Sequence, residues 1–343
     1  MTAQSVNPDL APNAPQHPHW VHAITGLFEV ALLMGASLAM AILVQQNLSP
    51  GLMETLGVGT QAEPDFIAAS GILVLQFGAQ YGVLLMLAGL VGWLRHRRRL
   101  QDYAISAPQG HKRPIVYGIA TGLVIGILPG IVMILQEIAP IGANTPFWEV
   151  QQNAQWDWRF WLFMGVGSFA LIPLIEEGAW RGYVQGRLLE GFAPGAAILM
   201  TTLMFALLHI QYLQADLALQ LTFVGLLISS LAFGVITYRT GSLVPAIIAH
   251  AMINTPMSLP FKAAIVGLGI LVLLVGYKSI WRELCYWGGV FLRWSTLAAL
   301  PGLALIAVIG LLAARIPNGV PLIASGLVTA VAVFGFLKPS AYR

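Results

Sequence analysis

Two adjacent acids with a base four residues on, Glu176-Glu177-Gly-Ala-Trp-Arg181, sit inside an apolar run, and the histidines His209 and His250 follow inside later apolar runs. Charged and ionisable groups are costly in hydrocarbon, so each one retained there is a functional-site hypothesis with a partner to be found. The full set is short: Glu29, Glu176, Glu177, Arg181, His209 and His250, with Asn254 as a polar companion. A carboxylate can serve as a general base, an imidazole can orient or polarise a water, and an amide can donate to a developing oxyanion.

Spacing separates the two acids. Glu177 and Arg181 lie at i and i+4, the favoured order for an intrahelical ion pair. Glu176 points about 140° away from Arg181 around a regular helix. Glu177 is therefore the expected structural partner of Arg181, and Glu176 is left to act as a base. A plain charge cluster at a membrane edge is the competing reading. His209 closes Phe205-Ala-Leu-Leu-His209, where a histidine serves most simply as an inter-helix hydrogen-bonding group. His250 and Asn254 are again i and i+4 and share a helix face, which suits either a polar packing seam or a pair of donors. Counted inward from Arg187, Pro194 and Gly241 at about 1.5 Å per residue, Glu176 lies roughly 16 Å deep, His209 roughly 22 Å, His250 about 13 Å and Asn254 about 20 Å. Three helices thus bring polar groups to one layer, and a shared water-filled cavity is the cheapest way to house them.

The elements that must position these groups are transmembrane helices. Of 343 residues, 57% are hydrophobic and 9% charged, against about 25% charged in a soluble domain. The expected fold is an all-α, polytopic bundle of about ten spans, near 21–45, 67–94, 115–136, 160–186, 194–214, 218–238, 242–258, 262–281, 289–313 and 318–338. The organisation read from it is a disordered cytoplasmic tail (1–20), N-terminal transmembrane helices (21–150), a catalytic core (151–260) and C-terminal transmembrane helices (261–343). Residues 1–19 carry no Lys or Arg and so lack the basic start of a signal peptide. Alternation with the 95–113 loop inside places fourteen of the 17 Lys and Arg on the cytoplasmic side, leaving Arg159, Lys262 and Arg315 outside, with both termini cytoplasmic. The pI near 9.1 therefore reflects the positive-inside pattern, and no nucleic-acid partner is expected. Trp156, Trp158 and Trp161 fit an outer aromatic belt. Cys285, the one cysteine, allows no internal disulfide.

The ordered set Glu176-Glu177-x-x-x-Arg181, Phe205-x-x-x-His209 and His250-x-x-x-Asn254 resembles the CPBP family of CAAX proteases and bacteriocin-processing enzymes, also called Abi-like. Arg181-Gly182 and Thr240-Gly241-Ser242-Leu243 strengthen the resemblance, which covers roughly residues 155–258. It implies intramembrane proteolysis of membrane-associated or lipid-modified substrates, with Glu176 as base, His209 orienting the water, His250 and Asn254 serving the oxyanion, and Glu177 and Arg181 in support. It carries no cofactor requirement. A zinc endopeptidase would instead use Glu176, His209 and His250 as ligands. A proton-coupled transporter is the rival from another class, though no internal repeat is evident. A non-catalytic immunity-type protein is the third reading. The expected setting is a prokaryotic plasma membrane, with lipids and a protein or peptide substrate as partners.

Overall fold

The computed structural model describes residues 63–96, 113–138, 157–207, His209, Tyr212, Leu213, 216–254 and 259–293, with Thr296 and scattered positions between 23 and 57. Among the described residues the regular structure is helical, without strands. Helix α1 runs Phe66–Val91 and continues through a π-helical turn to His96. Helices α2 (Arg113–Ile125) and α3 (Ile127–Ile138) form a bent pair meeting at 40°. Helix α4 is one helical run, Trp158–Leu189. Helices α5 (Pro194–Leu207), α6 (Leu217–Thr240), α7 (Val244–Ile253) and α8 (Leu259–Phe291) complete the order.

The chain is an integral membrane protein. Among the described residues four helices are long and apolar enough to span a bilayer, α1, α4, α6 and α8, and the α2–α3 pair makes a fifth if it crosses as one bent span. The expected spans at 194–214 and 242–258 are shorter helices instead, of 14 and 10 residues. At about 1.5 Å per residue these reach about 21 Å and 15 Å, short of a hydrocarbon core of roughly 30 Å. The break expected between 281 and 289 is absent: α8 runs unbroken for 33 residues. Apolar residues and good helix formers surround Lys278, Arg282 and Glu283, and nothing there stops a helix. The rest of the span expected at 289–313 and that at 318–338 lie outside the described residues.

Ion pairs mark the two ends of α8. Lys262 bonds Glu137 at the end of α3 (3.1 Å), and Glu283 pairs with Arg239 at the end of α6 (2.5 Å). From Lys262 to Glu283 the helix rises about 31 Å, close to the hydrocarbon thickness. Trp158 and Trp161 are exposed near the start of α4, as an aromatic belt requires.

The core forms where α1, α4 and α5 meet. Tyr81, Leu84 and Ala88 of α1 pack against Ala179, Trp180, Tyr183, Val184 and Leu188 of α4 and against Ala197, Met200 and Phe205 of α5. A second contact sets α7. Gly118 and Gly122, one turn apart on α2, face it so closely that a Cβ at Gly118 would stand 2.9 Å from the Pro245 carbonyl oxygen. At Gly122 a Cβ would stand 3.1 Å from the Ala249 Cα. Small residues at this spacing let two helix backbones approach, as in membrane helix pairs generally. The turn from α6 into α7 passes through Gly241 in the left-handed region (φ 61°), which only glycine enters without strain.

Candidate active site

Both acids occupy the last two positions of a regular α-helical stretch, Ile172–Glu177, flanked by π-helical stretches at Gly165–Leu171 and Gly178–Val184. Such π insertions recur at functional sites because they rephase the side chains beyond them. Here every residue from Gly178 to Val184 is buried, and the helix turns its polar groups inward.

The expected ion pair is present. Arg181 Nη1 donates to Glu177 Oε1 at 3.1 Å, with both side chains fully buried. Its Nη2 donates to the hydroxyl (2.7 Å) and carbonyl (3.1 Å) of Ser230 on α6. The guanidinium also lies over the rings of Phe205 (4.8 Å) and Phe233 (5.2 Å), so α4, α5 and α6 are joined through one side chain. A buried cation with this many partners is a fixed structural element.

His250 from α7 closes the cluster. Its Nδ1 stands 2.7 Å from Glu177 Oε1 and its Nε2 3.9 Å from Glu176 Oε2, while its ring stacks on Phe233 at 5.2 Å. The imidazole thus lies between the two adjacent carboxylates. Glu176, left without an ion partner on its own helix, accepts a hydrogen bond from the Tyr81 hydroxyl of α1 at 3.1 Å.

His209 lies elsewhere than expected. Helix α5 ends at Leu207, so His209 occupies the turn beyond it, not the helix interior. Its Nδ1 is turned back onto the Phe205 carbonyl (3.1 Å), and its ring touches those of Phe205 (4.9 Å) and Tyr212 (5.8 Å). Tyr212 in turn lies near enough to Glu176 to be influenced by its charge, which sets this turn on the Glu176 side of the cluster. Asn254 is the C-cap of α7, one turn beyond His250, and is half-buried. Among the described residues no three His, Cys, Asp or Glu side chains are grouped to hold a metal ion.

Glu29 belongs to a different layer. Both its oxygens bond Arg187, from Nε and Nη2 at 3.0 Å each, and it accepts from the Tyr183 hydroxyl at 2.9 Å. Arg187 also pairs with Glu190. The group ties the N-terminal helical residues to the far end of α4 and takes no part in the cluster around Glu176.

Sequence reasoning missed Tyr81 and Ser230. A lone tyrosine in an apolar run reads as an interfacial residue, and a serine reads as a small packing residue. Neither carries a local signal, because each gains its role only from a partner on another helix, 95 and 49 residues away.

Residues 158–256 match the model of a family described as type II CAAX prenyl endopeptidase Rce1-like. No curated protein and no solved structure matched the chain. The matched segment holds both acids, Arg181, both histidines and Asn254, and it supports a CAAX-type intramembrane endopeptidase, a hydrolase. Over this segment the chain is similar to the Rce1-like family.

Proposed function

We propose that the chain hydrolyses peptide bonds of membrane-associated, lipid-modified protein or peptide substrates by a water that Glu176 deprotonates. The observation that carries the reading is the placement of His250 between Glu177 and Glu176, 2.7 Å and 3.9 Å away. Glu176 takes one proton from water, and the resulting hydroxide adds to the scissile carbonyl carbon. The carbonyl oxygen becomes the oxyanion of a tetrahedral intermediate. When the C–N bond breaks, Glu176 returns its proton to the leaving amine, and the carboxylate is regenerated.

His250 and Asn254 serve the oxyanion. With Nδ1 turned to Glu177, His250 has Nε2 left to face the substrate. Donors fixed in this way contribute about 10²–10³-fold each. His209, held by the Phe205 carbonyl through Nδ1, keeps Nε2 for the water. The site's place inside the membrane layer suits a substrate held to the bilayer by a lipid anchor, and the substrate class follows the description of the matched family.

The test is hydrolysis of a fluorogenic farnesylated CAAX peptide in vesicles by wild type and Glu176→Gln. Wild type should cleave and Glu176→Gln should not, at equal folding. A wild-type protein without cleavage would overturn the substrate class, and cleavage by Glu176→Gln would overturn the base.

A further inference from the structure

Tyr81 lies outside the matched segment, on α1, and is nearly fully buried. Its hydroxyl donates to Glu176 Oε1, whereas Glu176 Oε2 is the oxygen turned toward His250. The two oxygens of one carboxylate are therefore distinguished by their neighbours. A carboxyl group on a flexible glutamate side chain rotates freely unless one oxygen is held, and no backbone donor holds Glu176 in the described residues. The Tyr81 ring is itself fixed, stacked on Phe77 at 6.0 Å and packed in the α1–α4–α5 core. Phe77, Tyr81 and Leu84 fall on one face of α1, at i, i+4 and i+7, so the helix that supplies the donor is seated by apolar burial on either side.

We infer that Tyr81 is a positioning residue for hydrolysis: it holds Oε1 of Glu176 so that Oε2 presents its lone pair to the reacting water beside His250. A hydroxyl acting through orientation affects the chemical step and not the capture of substrate. Misplacement of a catalytic group by about an ångström costs up to a hundredfold, and loss of one orienting hydrogen bond should cost about tenfold.

The inference rests on Glu176 as the base, so Glu176→Gln is measured beside Tyr81→Phe on the farnesylated CAAX peptide. The expected result is no turnover by Glu176→Gln and a kcat lowered about tenfold in Tyr81→Phe, with KM within about twofold of wild type. Turnover by Glu176→Gln would overturn the base and the inference with it. Inactive Glu176→Gln together with a wild-type kcat in Tyr81→Phe would overturn the role of Tyr81 alone, as would a loss confined to KM. Phe77→Leu provides a second route that keeps the hydroxyl and loosens its seat. It should lower kcat by a few fold, and adding it to Tyr81→Phe should lower kcat no further. Independent, multiplying effects of the two substitutions would overturn the inference.

Discussion

The Nδ1 atom of His250 lies 2.7 Å from Glu177 Oε1, the same oxygen that accepts from Arg181 at 3.1 Å. One carboxylate oxygen therefore fixes both a buried cation and the imidazole from α7. Glu177→Gln should be the more damaging to stability of the two glutamate variants. It strands Arg181 and unseats His250, with a cost of about 3–5 kcal/mol for removing one partner of a buried pair. Glu176→Gln should melt near wild type and be inactive. Thermal unfolding in detergent, run beside the peptide assay, checks both.

Glu29→Gln should destabilise without touching the chemistry. Arg187 is nearly fully buried and loses one of its two carboxylate partners, although Glu190 remains. The unfolding temperature should fall by several degrees, and turnover per folded molecule should stay within about twofold at low temperature. A tenfold loss of kcat in folded protein would show that this layer reaches the site.

Gly118→Ala should lower activity through α7. The added methyl would meet the Pro245 backbone at 2.9–3.0 Å, and backbone cannot swing aside as a side chain can. The helix carrying His250 must shift, so kcat should drop tenfold or more. Gly241→Ala is the contrasting case: nothing lies within 4 Å of its Cβ position, and only the left-handed conformation is penalised, by about 1–2 kcal/mol.

The place of metal is settled by three variants together. In the glutamate mechanism, activity survives strong chelator, elemental analysis finds far less than one zinc per chain, and both His250→Ala and Asn254→Ala lower kcat with little change in KM. Stoichiometric zinc that disappears in His209→Ala and His250→Ala but not in Asn254→Ala, with activity restored by added zinc, would establish the metalloenzyme.

Cys285 reports orientation. It is exposed, two residues past Glu283 on α8. On the positive-inside reading, a membrane-impermeant thiol reagent should label it in inverted vesicles and leave it unlabelled in intact cells.

What was legible in the sequence, and what was not, follows from the range of each interaction. The Glu177–Arg181 pair was visible because both partners lie on one helix, four residues apart. The all-helical membrane architecture was visible because it rests on bulk composition. The end of α5 before His209 was not, since apolar residues run through Leu207-Leu208 and nothing there breaks a helix by propensity. The depth count put His209 in one layer with Glu176, yet among the described residues the groups from other helices that meet the two carboxylates are His250 and Tyr81. Period and spacing identify faces within a helix, whereas the choice among facing residues is made by tertiary packing.

The donor to Glu176 and the acceptor for Arg187 both come from N-terminal to the matched segment. A fragment cut at residue 158 would keep the carboxylates, the histidines and Asn254. It would also expose the Trp180–Tyr183 face of α4 and leave Arg187 with Glu190 alone. The recognisable portion is thus not a portable module. Transplanting its activity to another scaffold would require grafting the surface of α1 that bears Tyr81, Leu84 and Ala88 together with it.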